Sequence, residues 1–204
     1  MKHRFLWLLS FLLIMAIIPM FSFFNLQDIF KQIDLNNNAT ADSAKSSPKQ
    51  KLYLAVASVY NTKWNNDTIK AAAILANTNL LSEQSGLLKI KTVDELKQQW
   101  PNDFDAVYKK IVESADDAGN KKLVFNDEIK YIPYISLSSG ETITSQEYPY
   151  LQIIASPWDV MMRNAGDIDS KACGVSLSGI DYLISQGANV EDALLWYLPE
   201  FDIV

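Results

Sequence analysis

The chain has 204 residues, of which 49% are hydrophobic and 21% are charged, and its formal net charge is −6. Apolar residues interleaved with short runs of charge indicate a globular protein and exclude a largely disordered one. A mildly acidic chain without clusters of Lys and Arg also argues against nucleic acid, or an anionic membrane surface, as the partner.

The N-terminus is the most apolar part of the chain. Residues 5–24, FLWLLSFLLIMAIIPMFSFF, contain no charged residue, and a helix of that length rises about 30 Å, enough to cross the core of a bilayer. Lys2 and Arg4 precede it, and the positive-inside rule then holds the N-terminus in the cytoplasm. We therefore predict a single-pass membrane anchor, or an uncleaved signal, over residues 1–25. A cleaved signal peptide is the alternative, but the first Ala-x-Ala, at 39–41, lies well downstream.

A polar linker follows over residues 26–50. Its second part, LNNNATADSAKSSPKQ, has no large hydrophobic residue after Leu35, which is typical of a flexible spacer. Residues 51–204 then make up the folded part, and a segment of that size can bury one core. We expect a single domain on the outer side of the membrane.

Cysteine and histidine usage limits the chemistry of this domain. Cys173 is the only Cys, and His3, the only His, lies on the cytoplasmic side of the predicted anchor. A zinc site of His and Cys ligands is therefore excluded from the domain, because it needs three or four such ligands. No DxDxDG-type calcium loop is present. We predict neither a metal nor a cofactor.

The first part of the domain shows helical spacing. Residues 52–60, LYLAVASVY, are apolar and suit either a strand or a first helix. From Thr68 to Leu80 apolar residues recur at helical intervals, and Asn66 or Asp67 is placed as the N-cap.

The next two helices have clear end signals. Thr92 and Glu95 match a capping box, which begins a helix that ends at Pro101. Asn102 or Asp103 begins another helix, with an apolar stripe on one face, which ends by Gly119.

The period then changes from helix to strand. Residues 121–139, KKLVFNDEIKYIPYISLSS, predict a hairpin with a polar turn, followed by a long strand that Pro133 interrupts. Residues 150–156, YLQIIAS, predict another strand.

Two helices return at the C-terminus. One closes at Gly187, and Asn189 caps the other, which Pro199 ends. The whole pattern predicts an α+β fold, with helices packed around a small, mainly antiparallel sheet. We expect Trp158 and Trp196 to lie in its core.

Four segments carry a combined signal: an apolar run before an Ala-rich helix, a Ser-x-Ser-x-Gly-x-Thr run, the sequence YPYLQIIASPWD, and ACGVSLSG with the helices after it. Together they resemble the stage II sporulation protein D / LytB (amidase enhancer) family of bacterial cell-wall proteins, over most of residues 52–203. The residues in register with the family's motifs in the first two segments are Tyr53, Ala57, Ser58, Lys70, Ala71, Ala73, Ala76, Thr78, Ser136, Ser138, Gly140 and Thr142.

The resemblance implies a lytic transglycosylase, an enzyme that cuts the glycan strands of peptidoglycan. Its acid is a carboxyl that protonates the glycosidic oxygen and then takes the proton of the sugar's 6-hydroxyl. The family's Glu lies eleven residues before the helix Lys, and that position, counted from Lys70, is Val59. An isopropyl group cannot transfer a proton.

Other departures point the same way. The family's helix Arg is Asn77 here, and its C-terminal His is Cys173; the Gly and Gln residues around that His are Ala172, Ser176 and Gly179. The stretch between Asp159 and Ala172 is also shorter than in family members. We therefore predict that no catalytic residue is retained.

Two acids are weak alternatives for a displaced catalytic carboxyl. Asp67 suits a helix cap better, and Glu83 suits a solvated loop better. Cys173 has no His outside the membrane to activate it as a nucleophile, and an unpaired thiol is more often buried.

The glycan-binding candidates are aromatic, cationic and hydroxyl side chains near the family motifs. Trp64 can stack on a sugar or anchor its own loop, and a Ser/Thr-rich strand end is also ordinary turn chemistry. The candidates are Tyr53, Trp64, Lys70, Ser136, Ser138 and Thr142.

We therefore predict a bacterial membrane protein with an extracytoplasmic domain that binds peptidoglycan glycan strands or scaffolds wall hydrolases, without cleaving glycan. By resemblance its partners are those of an engulfment complex, such as a cell-wall amidase and a membrane protein. The charge of the chain argues against nucleic acid as a partner. An active lytic transglycosylase with a displaced acid is one alternative. A protein-interaction module without affinity for glycan is the other.

Overall fold

Helices and very short strands make up the regular structure of residues 47–162 and 173–204, the part of the chain that the computed structural model describes. Helices predominate there, and the α+β class is confirmed. The helices are α1 (Pro48–Val59), α2 (Asn66–Leu81), α3 (Val93–Gln99), α4 (Phe104–Ala118), α5 (Pro157–Met162), α6 (Leu177–Ser185) and α7 (Val190–Tyr197), and the strands are β1 (Leu123–Val124), β2 (Tyr134–Ile135), β3 (Val175–Ser176) and β4 (Asp202–Ile203).

The predicted anchor and most of the predicted linker lie outside the described residues. Within the described residues, no helix is both long enough and apolar enough to span a bilayer.

Helix α2 is the centre of the fold. Side chains are buried on all sides of it, and α1, α4, α6 and α7 pack against it. Its buried alanines, 71–73 and Ala76, are small enough to let neighbouring helices approach closely. The segment 52–60, which suited either a strand or a helix, lies mostly in α1 and buries Tyr53 and 55–57 against this centre.

Local end signals place most helix boundaries. Thr92 and Glu95 form the capping box expected at the start of α3, with the Thr92 N–H donating to Glu95 Oε2 over 2.7 Å. Gly119, with φ of 68°, ends α4. Asn189 caps α7 by accepting from the Asp192 N–H over 2.8 Å.

The predicted cap of α2 is wrong by one residue. Asn65, and not Asn66 or Asp67, is the N-cap, because its backbone is extended and its Oδ1 accepts from the Thr68 N–H over 2.9 Å. Asn66 and Asp67 lie inside the first turn.

The strands are shorter than predicted and form two separate pairs. β1 pairs with β4 antiparallel, and β2 pairs with β3 parallel. The hairpin turn is present: Phe125 and Glu128 form a bridge, and Asn126 and Asp127 between them have φ of 51° and 63°.

The long strand predicted to follow this turn is wrong. Both backbone groups of Ile132 bond the side chain of Asn79, at 2.8 Å and 2.7 Å, and Pro133 has no N–H. These groups cannot join a ladder. The strand predicted over 150–156 is wrong as well, since only the Glu141–Ala155 bridge forms there.

The two C-terminal tryptophans are less buried than predicted. Trp158 is half-buried, and Trp196 is 48% exposed. Trp196 lies on the outer face of α7, where its indole N–H donates to the Ala155 carbonyl over 3.1 Å. The prediction of Trp196 in the core is therefore wrong.

Candidate functional site

The polar loop between α1 and α2, residues 60–65, is a tightly bonded turn. The Asn61 side chain accepts from the Lys63 N–H over 3.0 Å, and the Asn61 carbonyl accepts from the Trp64 N–H over 3.0 Å. Lys110, from α4, reaches the Trp64 carbonyl with its ammonium at 2.6 Å. The loop is thus held from both sides.

Trp64 is the anchor of this loop. Only 4% of it is exposed, and its ring meets the Tyr60 ring edge-on with centroids 6.1 Å apart. Tyr60 makes a similar contact with Trp100 at 5.7 Å. Burial leaves almost none of the Trp64 ring for stacking on a sugar.

Val59, the position that the sequence resemblance aligns with a catalytic Glu, is the last residue of α1 and is half-buried. Ser58 beside it closes the helix end: its hydroxyl donates to the Leu54 carbonyl over 2.6 Å and accepts from the Lys91 N–H over 2.7 Å. The Ser of the motif therefore ties α1 to the segment before α3, while Val59 offers only an aliphatic group.

The two alternative acids lie at opposite ends of α2. Asp67, in the first turn, has a side chain 55% exposed and 3.1 Å from the Lys70 ammonium. Glu83 lies just beyond the last turn and is exposed. A helix of this length separates them by roughly 25 Å. Neither has the desolvated setting that makes a carboxyl a good proton donor near neutral pH.

Lys70 and Tyr53 belong to a surface cluster on α1, α2 and α4. We call Lys49, Tyr53, Asp67, Lys70, Asp116 and Asp117 the helix-surface cluster. The Tyr53 hydroxyl donates to Asp116 over 2.7 Å, and burial together with this carboxylate raises the pKa of Tyr53. The hydrogen bond with Asp67 raises the pKa of Lys70. Both glycan-binding candidates therefore have partners within the chain.

The hydroxyl candidates of the second segment differ in exposure. Thr142 is buried, donates to the Gln152 carbonyl over 3.1 Å and accepts from the Ile154 N–H over 2.8 Å. Ser138 is also buried, and its hydroxyl accepts from the Gly140 N–H over 3.2 Å. Only Ser136 is exposed.

A second cluster packs against α6. The sequence did not predict it as one site. We call Ser138, Ser156, Asp159, Ser176 and Tyr197 the buried polar cluster. All five are buried. In the sequence, the signals for this cluster were Ser156 and Asp159 in SPWD and a Gly at position 179 within a predicted helix. Only the folded chain brings these residues together.

Tyr197 is at the centre of the buried polar cluster. Its hydroxyl lies 2.6 Å from Ser156 Oγ and accepts from the Trp158 indole N–H over 3.3 Å. Burial raises the pKa of Tyr197 to about 12. A Cβ placed on Gly179 would lie 1.8 Å from this hydroxyl oxygen. Gly179, which has no Cβ, thus makes room for Tyr197.

Asp159 is the buried acid of this cluster. Its Oδ2 accepts from the Ser138 N–H over 2.9 Å, and its Oδ1 has no hydrogen-bond partner among the described residues. The carboxylate holds the 136–142 loop against α5. It is 0% exposed, so it offers no access to a substrate.

Asn77 and Cys173, which the sequence resemblance aligns with an Arg and a His, also have structural surroundings of their own. The Asn77 side chain donates to the Lys121 carbonyl over 2.9 Å. Cys173 is buried, and burial raises the pKa of its thiol, which disfavours the nucleophilic thiolate. Within the described part of the chain, no three His, Cys, Asp or Glu residues are grouped to hold a metal ion.

No family model matches this chain. The chain is similar to stage II sporulation protein D of Bacillus amyloliquefaciens, with 25% identity over 126 residues that cover 51% of this chain and 37% of that protein. The chain therefore spans well under half the length of this relative. At this identity and coverage, the comparison supports a distant relationship to stage II sporulation protein D.

Proposed function

We propose that this protein is a non-catalytic relative of stage II sporulation protein D, which works at the bacterial cell wall by binding glycan strands or by scaffolding wall hydrolases. By resemblance, an amidase and a membrane protein are its partners. An N-terminal anchor holds its domain outside the cell membrane.

The observation that carries this proposal is Val59. It occupies the position of the family's acid, at the end of a helix whose own Ser58 is still bonded as a structural residue. Acid/base catalysis of this kind contributes about 10²–10⁴-fold in rate, so its loss would leave little cleavage.

The use of other motif residues supports the same conclusion. Asp67 and Lys70 pair with each other at the surface, and Asn77 bonds a backbone carbonyl. Ser138 and Thr142 are buried in backbone hydrogen bonds. Each contact stabilises the fold, and none requires a substrate.

Glycan cleavage is tested directly with the full chain and purified glycan strands that lack stem peptides. We expect no anhydro-sugar ends, while an active lytic transglycosylase in the same assay produces them. Release of such ends that disappears in Asp67→Asn or Glu83→Gln would overturn the proposal in favour of an enzyme with a displaced acid.

Glycan binding is tested by sedimentation with purified sacculi. The chain should pellet with them, and Ser136→Ala should weaken pelleting because Ser136 is the exposed hydroxyl of its motif. Thr142→Ser is the matched control, since it keeps a buried hydroxyl. Failure of the native chain to pellet would leave the protein-interaction module as the function.

The variant Val59→Glu tests whether the residues around position 59 can still support glycan cleavage once a carboxyl is restored there. Appearance of anhydro-sugar ends with this variant would show that the rest of the site can still act. Absence of cleavage, with unchanged sacculus binding, would show that more than the acid has been lost.

The location is tested by fusing alkaline phosphatase, which is active only outside the cytoplasm, to the C-terminus. We expect activity in cells, and a chain that fractionates with membranes. An inactive fusion of full length would exclude an extracytoplasmic domain.

A further inference from the structure

Exposed apolar side chains concentrate in one segment of the described structure. Eight large apolar side chains are exposed in the described residues, and four of them fall within the ten residues 153–162. A fifth, Trp196, is joined to this segment through the Ala155 carbonyl. We call the five residues Ile153, Val160, Met161, Met162 and Trp196 the apolar patch.

The aromatic part of this patch is held rigidly. The indole N–H of Trp196 is bonded to Ala155 at 3.1 Å, and its ring lies 5.6 Å from that of Trp158. Trp158 in turn stacks on Tyr182, with centroids 5.2 Å apart and planes within 12°. A surface that is ordered before binding loses little side-chain entropy on binding. Grouped exposed apolar side chains of this kind mark interaction sites.

The C-terminal part of the chain, which carries the patch, is strongly acidic. Residues 123–204 contain twelve Asp and Glu against three Lys and Arg, a net charge of −9, whereas residues 1–122 contain twelve against fifteen, a net charge of +3. The formal charge of −6 is therefore the sum of a basic N-terminal part and an acidic C-terminal part.

Two of these acids contact chain neighbours of the patch residues. Glu141 forms a backbone bridge with Ala155, and Glu200 accepts from the side chain of Gln152, next to Ile153, over 2.6 Å. Both are exposed. Acids at the rim of an apolar surface attract cationic partners and repel anionic ones.

We propose that the apolar patch and its acidic rim bind a basic protein segment that presents apolar side chains. The proposal specifies the scaffolding part of the proposed function and rests on it. Met161 and Met162 are flexible apolar side chains that adapt to varied protein surfaces. Val160 and Ile153 offer no group that hydrogen-bonds a sugar, and acids at the rim repel anionic lipid. A protein segment therefore fits this surface better than glycan or membrane does.

The test uses the full chain in phosphatidylcholine nanodiscs, with empty nanodiscs as the reference. The probe is a labelled amphipathic peptide of lysine and leucine, and the matched probe has glutamate in place of lysine. We expect the lysine peptide to bind, the glutamate peptide to bind at least about tenfold more weakly, and binding of the lysine peptide to weaken as NaCl rises from about 50 to 300 mM.

Matched variants locate the binding surface. Met161→Ser should weaken binding about fivefold to tenfold, because burial of one Met side chain is lost. Leu87→Ser is the control, since Leu87 is an exposed apolar residue outside the patch. Glu200→Gln should weaken binding and Glu83→Gln should not. Met161 is 73% exposed, so its change leaves folding intact even where Trp196→Ala disturbs Trp158.

Equal binding by Met161→Ser and Leu87→Ser would overturn the proposal, and so would equal binding of the two peptides. Binding of glycan strands or phosphatidylglycerol vesicles that Met161→Ser abolishes, without peptide binding, would assign the patch to that other partner. Sacculus pelleting separately tests the glycan-binding part of the proposed function. A chain that pellets but does not bind the peptide loses only this docking surface.

Discussion

The helix-surface cluster and the buried polar cluster are built differently. The first consists mostly of charged side chains at the surface of three helices, where Lys70 pairs with Asp67 and Asp117 at 3.1 Å and 3.6 Å. The second is made of hydroxyls and one carboxylate that are shielded from water. Exposed ion pairs contribute little to stability, whereas buried polar groups are costly to leave unpaired.

This difference indicates which positions tolerate substitution. At the helix surface, water can replace a lost partner. In the buried polar cluster one side chain limits another, because a Cβ at Gly179 would lie 1.8 Å from the Tyr197 hydroxyl oxygen. We therefore expect substitutions to cost more in the buried polar cluster than in the helix-surface cluster.

Gly179→Ala should have the largest effect. Its new Cβ would lie 1.8 Å from the Tyr197 hydroxyl oxygen and 2.9 Å from Ser156 Oγ, so the cluster must open, and the free energy of unfolding should fall by about 3 kcal/mol or more. Urea titration followed by tryptophan fluorescence measures this. Gly86→Ala is the matched control, because nothing lies within 4 Å of the Cβ there. The double variant Gly179→Ala/Tyr197→Phe should recover part of the loss, and a double variant less stable than the sum of the single changes would contradict the assigned clash.

Asn79→Ala should have the second largest effect on the free energy of unfolding. Asn79 lies on α2, is buried, and bonds both backbone groups of Ile132. Its loss should cost about 2–4 kcal/mol, because both groups are left unpaired. Asn77→Ala, two residues away, should cost less than about 1 kcal/mol, since its contact is exposed. Equal losses would show that burial does not decide how much a polar side chain contributes to stability here.

Alkaline pH should have the third largest effect, a fall in the free energy of unfolding that comes from Tyr197 in the buried polar cluster. Burial raises the pKa of Tyr197 to about 12, while an unfolded Tyr titrates near pH 10. Stability from this group is therefore fully present below pH 10 and is lost as the pH rises toward 12, by roughly 2–3 kcal/mol. The free energy of unfolding measured across this range should fall less steeply in Tyr197→Phe. A slope in the native chain that disappears at high salt would point to charge pairing in place of burial.

Lys70→Gln should have the smallest effect, below about 0.5 kcal/mol in the free energy of unfolding, because exposed ion pairs are screened. The hydrogen bond with Asp67 raises the pKa of Lys70, so the contribution of the pair is complete below the unfolded pKa and is lost as the pH rises through the folded pKa. Asp67→Asn, measured alongside, should give a similarly small change. A loss above about 1.5 kcal/mol for either variant would mean that the helix-surface cluster is a structural site like the buried one.

The helix ends that the sequence predicted correctly depend on residues within one helical turn of each other. The capping box at Thr92, the helix end at Gly119 and the cap at Asn189 each need only residues three or four apart. The cap of α2 was missed by one residue because Asn65, Asn66 and Asp67 are all good caps, and only the backbone conformation selects among them.

What the sequence did not predict depends on contacts between distant segments. The strand after the hairpin is lost because a helix side chain, Asn79, bonds the backbone of Ile132, fifty-three residues away. The buried polar cluster joins Ser156 to Tyr197 across forty-one residues, and no local pattern reports such a pairing. The sequence left Trp64 open between stacking on a sugar and anchoring its loop. The contacts that decide this come from Tyr60, against its ring, and from Lys110, at its carbonyl.

Thr78, at the end of α2, affects the order in which the chain can fold. Its hydroxyl accepts from the Leu123 N–H over 2.9 Å, while the strand partner of Leu123 is Ile203, eighty residues later. Closing the shorter loop first costs less entropy. The helix can therefore hold β1 in place before β4 arrives, and we expect pairing of the two strands to follow the contact between α2 and β1.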